Sequence, residues 1–472
     1  MIKGTIYNII ARFVFLISGF AIHITMAYYL ADPRDYGTLG VILSIITIAY
    51  MFLSAGLPQA ASRFIAQDEK HADAILKKAL MIQCVFSAIV TVIYIGGIPL
   101  WTFLLNDKSL AKYILVSAIL IPLWGSLQIY MSYFNGKRLF GLQSFFLGLY
   151  SVGRFVIAFV LVLFGMKIFG VLLGFIISLS LTLILTISSA KMKESDFEYN
   201  GRVLIHFAIP IILFSIGSSL ILNLDILLLK HFFPDSPIIG YYTGSMNLGK
   251  APFFIFYAFS MTILPSVAKA LGDNDFEKAR GLVNRNISYL LFLSIPSATM
   301  VLATSEKLLD FVYPSAYTKA SGPLGILIFS MSLLAVFYSL ASIITAKGKP
   351  TISMFIIFLC IPLQIGVSLY LIPKYQMNGA AYSNLLTVSI GVIIASFFVF
   401  KYFRTLFDIT RVIKTIISSL IIYYLLLHFN AYPVKMLPLI YGLSFLVFFF
   451  IMIIIGGITK SDFAFVKRFV FR

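Results

Sequence analysis

The sequence predicts an all-α membrane protein with about fourteen transmembrane helices, and three observations lead to this fold class. Of the 472 residues, 60% are hydrophobic and only 11% are charged, whereas soluble domains average about 25% charged residues. Apolar blocks recur along the whole chain, and most reach the roughly 20 residues that a helix needs to cross a bilayer core. Lysine and arginine are concentrated in alternate segments between these blocks. The chain is therefore expected to fold in lipid.

The apolar blocks define the predicted spans. The first block is long enough to cross the membrane, and no small-residue cleavage pattern follows it, so it is interpreted as a helix and not as a cleaved signal peptide. The thirteenth block is the weakest, because Lys414 and His428 lie near its ends. The predicted spans are 7–31, 37–58, 79–104, 111–134, 142–166, 168–190, 204–229, 240–266, 287–304, 322–346, 351–373, 379–400, 413–430 and 436–458.

The distribution of basic residues predicts the orientation of these spans. With the N-terminus in the cytoplasm, 24 lysine and arginine residues fall in cytoplasmic segments and nine in external segments. This excess follows the positive-inside rule and predicts that both termini are cytoplasmic in a cell membrane. The net charge of +18 is then explained by basic residues that contact anionic lipid headgroups. Nucleic-acid binding is not favoured, because the sequence contains no basic tract with interleaved aromatic residues. Cys84 and Cys360 lie in apolar blocks and predict neither a disulfide framework nor a metal site.

A weak internal repeat predicts the domain organisation. Gly37 opens the second span, which ends at Leu57-Pro58, and Gly240 opens the eighth, which ends at Leu264-Pro265. The offsets are 203 and 207 residues, and a charged stretch follows each Leu-Pro pair. The two copies are six spans apart, so the repeat is expected to be parallel. The predicted domains are two six-helix lobes, 1–200 and 201–403, followed by 404–472 with the last two helices and a cytoplasmic tail.

Four charged residues lie well inside predicted spans: Arg12, Arg154, Asp225 and Lys250. A charge near the centre of a membrane helix costs at least about 2.5–3.5 kcal/mol, so it usually faces a wet cavity or a partner. Arg154 and Lys250 lie too deep to reach the membrane surface easily, and both are predicted to line a substrate-binding cavity. The alternative is a buried pair or a hydrogen bond to the backbone.

A polar stripe is predicted on the first helix. Asn8, Arg12, Gly19 and His23 are spaced by multiples of a helical turn, so they lie on one face. Arg12 alone could extend to the cytoplasmic surface, but a whole polar stripe facing lipid would be costly, which favours a cavity-facing position. His23 could equally be a satisfied core histidine or a group that exchanges protons.

Asp225 and Asn223 form a candidate ion or proton site near the external end of the seventh span. The carboxylate could bind a coupling Na⁺ or H⁺. It could equally be a helix-end carboxylate paired with Lys230, Arg154 or Lys250. The sequence does not decide between these two interpretations.

Aromatic and amide side chains accompany the candidate cations. Asn247, Lys250 and Tyr257 continue a polar face on the eighth span, and Tyr150 precedes Arg154 by one turn. Three cations against one acid favour an anionic ligand in a cavity of low dielectric. A lipid linked through phosphate or pyrophosphate fits this charge, and a cationic drug does not. No glycine-rich nucleotide-binding loop occurs, so no bound cofactor is expected.

Several short motifs occur in order along the chain. They are Asn223–Lys230, Ile239–Ser245 and Ile263–Ser266, supported by Asp35–Gly40, Gly56–Pro58, Arg63–Ala66, Ala346–Lys349 and Met377–Tyr382. Together they resemble the polysaccharide transporter family of the flippase superfamily that also contains MATE multidrug exporters and lipid II flippases. The resemblance implies a MATE-like fold and the export of polyprenyl-linked oligosaccharide for surface polysaccharide, with a polymerase or glycosyltransferases as possible partners. It also implies cationic residues in the cleft, for which Arg12, Arg154 and Lys250 are the candidates.

Three other functions remain open at this stage. An ion-coupled multidrug exporter of the same superfamily would use buried acids, of which this chain offers only Asp225. A lipid II flippase would also place arginines on its first helices. A membrane-bound enzyme of polymer assembly is disfavoured, because the loops are too short for a catalytic domain, and the protein is expected not to be an enzyme.

Overall fold

The computed structural model describes residues 2–190, 192, 197, 199–429 and 431–458, without the side chains of residues 2–6, 8, 9, 258 and 261. Within these ranges the chain is helical and forms no strand. The helices are α1 (Ile2–Tyr29), α2 (Pro33–Ser54), α3 (Gly56–Gln67), α4 (Ala72–Gly96), α5 (Ile98–Leu104), α6 (Leu110–Ser117), α7 (Leu120–Gly136), α8 (Phe140–Leu163), α9 (Lys167–Ala190), α10 (Gly201–Phe232), α11 (Ile238–Gly249), α12 (Ala251–Gly272), α13 (Phe276–Val312), α14 (Ser321–Ala346), α15 (Pro350–Phe403), α16 (Ile409–His428) and α17 (Leu437–Ile454).

The described residues contain thirteen helical segments that are long and apolar enough to cross a membrane. The longest, α15, holds two spans, because its backbone leaves the helical region at Gln376 (φ 49°, ψ −123°). The two arms then pack side by side: Ser368 donates a hydrogen bond to Ser383 at 2.7 Å, and Cys360 lies 3.8 Å from the carbonyl of Thr387. This hairpin brings the number of spans to fourteen, so the predicted fold class is confirmed.

Several helices extend beyond the predicted spans. The second span continues through a break at Ala55 into α3, which ends at Gln67. The seventh span, predicted to end at residue 229, continues to Phe232. Hydropathy marks only the part of a helix that lies in hydrocarbon, whereas the helix itself ends where its backbone hydrogen bonds end. Lys230, predicted to lie in an external loop, is therefore part of α10.

The chain divides into two compact units, residues 1–243 and 244–472. In the first unit, α10 packs against α2 and α3. Gly56 permits close contact with α10, because a Cβ there would lie 2.5 Å from the Ala208 carbonyl and from Ile212. The predicted lobe boundary at residues 200 and 201 stays a prediction.

In the second unit, the last two spans pack against α13. Their shared core contains Phe292, Met300, Ile422, Leu426, Phe448 and Met452. A polar contact adds to this packing: the hydroxyls of Thr304 and Tyr441 are 2.7 Å apart. Thr304 also marks a kink in α13. Residues 459–472 of the predicted cytoplasmic tail lie outside the described residues.

Candidate functional site

Arg154 lies on α8, and its guanidinium contacts α1. Its Nη2 donates hydrogen bonds to the Phe15 carbonyl and the Ser18 hydroxyl, each at 3.0 Å. The guanidinium carbon lies 4.3 Å from the centroid of the Phe15 ring and 5.4 Å from that of Tyr150, which is within cation–π range. Gly19 lies beside this contact, since a Cβ there would lie 3.4 Å from Nη2, an ordinary van der Waals distance. Arg154 therefore connects the first and fifth spans.

These contacts do not satisfy the whole guanidinium. The group has five N–H donors and no acceptor, and Nε of Arg154 is buried without a hydrogen-bond partner among the described residues. An unpaired buried donor costs about 1–3 kcal/mol, so an acceptor such as water or a phosphate oxygen would stabilise the site. The sequence left open whether Arg154 lines a cavity or forms a hydrogen bond to the backbone. In the structure it forms the backbone hydrogen bond, and its Nε is still a donor without an acceptor among the described residues.

The predicted stripe on α1 meets two other helices. Gly19 faces α8, and Nδ1 of His23 lies 3.2 Å from the hydroxyl of Tyr36 at the start of α2. The His23 and Tyr36 rings are arranged edge to face, with centroids 6.0 Å apart. Arg12 is exposed, and the side chain of Asn8 lies outside the described residues. Gly19 and His23 therefore contact protein, and a cavity-facing role for the stripe stays a prediction.

Asp225 is fully buried in α10. Its Oδ2 accepts a hydrogen bond from the Tyr242 hydroxyl at 2.7 Å, and its Oδ1 accepts one from the backbone N–H of Ile226 at 2.9 Å. Asn223 is also buried and donates from Nδ2 to the Ser219 carbonyl at 2.8 Å. The carboxylate therefore joins α10 to α11. Among the residues that the structure describes, no three or more metal-ligating side chains lie together, and the ion or proton role of Asp225 stays a prediction.

Lys230 pairs with Asp107 and not with Asp225. Its Nζ lies 2.7 Å from Oδ2 of Asp107 and donates a hydrogen bond to the Pro234 carbonyl, and its side chain is only 4% exposed. Burial opposes ionisation of Asp107, but hydrogen bonds from Lys230 and Ser109 outweigh it and lower the carboxyl pKa. We call Lys230, Asp107 and Pro234 the Lys230 cluster. It connects the end of the seventh span to the loop before the fourth.

The starts of the second and eighth spans are packed together beside this cluster. A Cβ on Gly37 would lie 2.6 Å from the Gly240 nitrogen, and a Cβ on Gly240 would overlap the Pro33 carbonyl. One helical turn further, a Cβ on Gly40 would lie 2.5 Å from the side chain of Thr243. Only glycine at these positions allows the two helices to approach so closely.

A polar cavity of about 430 Å³ lies between the Lys230 cluster and these helix starts. Most of its lining residues are acidic, basic or amide side chains. An exposed ion pair of 3.9 Å between Arg34 and Asp235 borders it. The lining residues are Asp32, Arg34, Asp35, Thr38, Asn106, Asp107, Ser109, Lys230, Pro234, Asp235, Ser236 and Ile239.

The remaining predicted residues lie in the second unit. Lys250 interrupts the eighth span, where α11 ends and α12 begins. Asn247 lies in the last turn of α11 and is half-buried. Tyr257 on α12 is exposed by 37% and packs edge to face against Tyr338, with ring centroids 5.4 Å apart. The eighth span therefore carries an aromatic pair one heptad after its break.

The sequence did not predict three of the binding partners in these sites. Asp107 is 123 residues from Lys230, Tyr242 is 17 residues from Asp225, and Phe15 binds Arg154 through its carbonyl. A backbone acceptor leaves no mark in a sequence. Asp107 and Tyr242 carry no sequence signal either, because each lies more than four helical turns along the chain from its partner.

Comparison with known proteins identifies the family. Residues 29–322 match the model of the family described as polysaccharide biosynthesis protein. The chain belongs to this family. The match covers the second to ninth spans, including Arg154, Asp225 and the Lys230 cluster.

Two curated relatives are distant in sequence, and a solved structure is similar in fold. A probable low-salt glycan biosynthesis flippase, Agl15 of Haloferax volcanii, is 22% identical over 54% of this chain, which spans about half (53%) of that relative. The capsular polysaccharide biosynthesis protein CapF of Staphylococcus aureus is 22% identical over 86% of this chain and all of CapF. The lipid II flippase MurJ, in an inward closed conformation, matches the whole chain with a TM-score of 0.78 at 16% identity.

Proposed function

We propose that this protein flips a lipid-linked oligosaccharide from the inner to the outer leaflet of the cell membrane for surface polysaccharide assembly. The carrier is a polyprenyl phosphate or pyrophosphate. The observation that carries the proposal is Arg154, a cation inside the matched family region whose buried Nε has no hydrogen-bond acceptor among the described residues. A relative described as a glycan biosynthesis flippase supports the same function.

Arg154 would bind the phosphate of the carrier. Guanidinium matches phosphate geometry, and a charge-assisted hydrogen bond is roughly twice as strong as a neutral one. The rings of Phe15 and Tyr150 flank the guanidinium and keep it from reorienting. Lys250 is the proposed second cation, and Tyr257, one heptad further along the span, would contact sugar. The glycolipid would leave chemically unchanged, since no covalent step is required.

Alternating access is the proposed mechanism. The predicted external ends of the second, seventh and eighth spans are in contact through Gly37, Gly240 and the Lys230 cluster. Release to the outer leaflet would require these contacts to separate, with energy from a Na⁺ or H⁺ gradient, the membrane potential or substrate supply. Separation exposes Lys230 to water, so its ion pair with Asp107 can be exchanged for hydration.

A cell-based measurement tests the proposal. A strain that lacks its own oligosaccharide flippase is complemented with the wild-type protein, and the glycolipid in the outer leaflet is quantified with a membrane-impermeant lectin. The proposal predicts that outer-leaflet glycolipid is restored and that resistance to cationic drugs is unchanged. Drug resistance without glycolipid export would instead favour the multidrug exporter.

A partner of the transporter is tested separately. The proposed partners are a polymerase or glycosyltransferases that supply or use the same glycolipid. If glycolipid flips at the normal rate after these enzymes are deleted and the substrate is supplied, the protein acts alone. A purified protein that converts the glycolipid to a different product would be an enzyme and would contradict the proposal.

A further inference from the structure

Trp124 lies in α7 and binds the last turn of α2. Its Nε1 donates a hydrogen bond to the Ser54 hydroxyl at 2.7 Å, and its ring stacks on that of Tyr50, with centroids 4.9 Å apart and planes inclined by 18°. The Ser54 hydroxyl in turn donates to the Tyr50 carbonyl at 2.8 Å. The indole is therefore held at its polar end and on one face, and its N–H has the acceptor that a buried tryptophan usually finds.

The turn that Trp124 contacts is the point where the second span breaks. The helix α2 ends at Ser54, the chain leaves it at Ala55, and α3 begins at Gly56. A break in a helix allows its two segments to point in different directions. A change in direction at Ala55 that moves the last turn of α2 relative to α7 therefore moves the contacts of Trp124 as well.

The same indole contacts Tyr150 on α8. The centroids of the two rings are 5.5 Å apart and their planes are inclined by 50°, which is within the range of favourable aromatic pairs. The Tyr150 ring lies beside Arg154, whose guanidinium carbon is 5.4 Å from the ring centroid. A continuous series of contacts therefore joins the break in the second span to the guanidinium, and its members are Ser54, Trp124, Tyr150 and Arg154.

Neighbouring helices hold the backbones that carry these two rings. Gly125, the residue after Trp124, packs against α4, because a Cβ there would lie 2.5 Å from the Ser87 hydroxyl. The Tyr150 carbonyl accepts a hydrogen bond of 3.1 Å from the Ser178 hydroxyl of α9. Since both backbones are held, the orientation of the Tyr150 ring depends on the side chains that pack against it, and Trp124 is one of them.

Burial indicates that these rings act through Arg154 and do not bind a ligand themselves. Trp124 is 8% exposed and Tyr150 is 1% exposed. A cation is attracted to the face of an aromatic ring, so the orientation of the Tyr150 ring restricts that of the guanidinium. It thereby restricts the direction in which the buried Nε of Arg154 can donate a hydrogen bond.

We propose, on the basis of the proposed function in which Arg154 binds the phosphate of the carrier, that Trp124 is a positioning residue of this phosphate site. It holds the Tyr150 ring against the guanidinium and connects the site to the break at Ala55. The affinity for the carrier then depends on a residue that does not contact the carrier. Binding of phosphate at Arg154 also changes the surroundings of the Trp124 indole.

The fluorescence of Trp124 reports on this site directly. The chain contains two tryptophans, and the other, Trp101, lies on α5, so all tryptophan emission of full-length Trp101→Phe comes from Trp124. The purified variant is titrated with polyprenyl phosphate in detergent, and binding is measured separately with the radiolabelled lipid. The emission should change in parallel with binding. In Trp101→Phe/Arg154→Gln it should stay constant at the same lipid concentrations.

The affinity for radiolabelled polyprenyl phosphate tests the positioning role. Trp124→Leu removes the aromatic contact with Tyr150 and should weaken binding about fivefold, the size expected for the loss of one aromatic pair. Trp124→Phe keeps a ring beside Tyr150 and should bind within about twofold of wild type. Trp101→Leu is the matched control and should bind the lipid like the wild type.

A purely structural role of Trp124 gives different results. Trp124→Leu would then unfold at a lower temperature but bind the lipid with wild-type affinity, and the Trp124 emission would not follow binding. Either result overturns the positioning role, and the emission titration decides alone if Trp124→Leu does not fold. If the wild type does not bind radiolabelled polyprenyl phosphate, the proposed phosphate site at Arg154 is wrong, and the role of Trp124 is wrong with it.

Discussion

Gly37 packs against Gly240, so the residue that opens the second span meets its counterpart in the sequence repeat. A Cβ on Gly37 would lie 2.6 Å from the Gly240 nitrogen, and one turn on, Gly40 meets Thr243. Both pairs are separated by 203 residues, which is the offset of the repeat. A constant offset means that the two helix starts run parallel.

The close contact at Gly240 predicts that one added methyl group at this position lowers the stability of the protein. Gly240→Ala should destabilise the protein by about 1–3 kcal/mol, the cost of overpacking, because the new Cβ would overlap the Pro33 carbonyl. Gly148→Ala, within α8, has open space around the new Cβ and should be neutral or slightly stabilising. Thermal unfolding in detergent measures both. Equal melting temperatures for the two variants would show that the contact is not close.

The ion pair of Lys230 predicts a large loss of stability when its partner is neutralised. Asp107→Asn leaves Lys230 buried without a counter-charge, and we expect a loss of about 3 kcal/mol, the lower end for a broken buried pair. Asp235→Asn removes the exposed partner of Arg34, whose pair is worth at most about 1 kcal/mol. The two variants are compared by thermal unfolding. Similar small shifts in both would mean that water reaches Lys230.

The lowered pKa of Asp107 predicts how this pair responds to pH. A depressed folded-state pKa gives stability that is complete above the unfolded pKa, about 3.9, and is lost as pH falls through the lower folded value. The Lys230 cluster should therefore be insensitive to pH between 5 and 8. The melting temperature of wild type relative to Asp107→Asn should be constant in that range and converge only below about pH 4. Convergence near pH 6 would contradict the lowered pKa.

A substitution at Asp225 distinguishes the function of a glycolipid transporter from that of a multidrug exporter. Asp225→Asn should leave glycolipid export within about twofold of wild type if the carboxylate joins α10 to α11. Tyr242→Phe, which removes the hydroxyl donor to Asp225, should behave in the same way and lower the melting temperature. Export and drug resistance are measured side by side in cells. Loss of drug resistance with normal export in Asp225→Asn alone would support the exporter and a cation or proton site.

The sequence predicts most of the fold because hydropathy depends on composition alone. Fourteen apolar blocks are visible without knowledge of any contact, and even the weak thirteenth, α16, forms a span. The hairpin at Gln376 follows from the polar gap between two such blocks. Helix ends are predicted less well, because hydropathy falls before the backbone hydrogen bonds end, and this error placed Lys230 in a loop.

The candidate site is predicted only in part, because its partners are distant in the chain. Intramembrane charge identifies Arg154 and Asp225 as unusual. It does not identify the Phe15 carbonyl or the Tyr242 hydroxyl, to which they bind. The repeat draws attention to Gly37 and Gly240, but their direct contact depends on helix packing, which a single sequence does not encode in any local pattern.

The most direct test of the proposed function is glycolipid flipping by the purified protein in liposomes. A polyprenyl-pyrophosphate-linked oligosaccharide is placed in one leaflet, and its appearance in the other is followed with an impermeant lectin. The wild type should flip it, and Arg154→Gln should reduce the initial rate at least about tenfold, because a charge-assisted contact to phosphate is worth about 1.5–3 kcal/mol. Lys77→Ala, an exposed cation on α4, is the control and should flip at the wild-type rate. The cationic site would be contradicted if Arg154→Gln unfolds at the wild-type temperature and still flips the glycolipid at the full rate. The proposed function would be contradicted if the wild type leaves the glycolipid in its original leaflet.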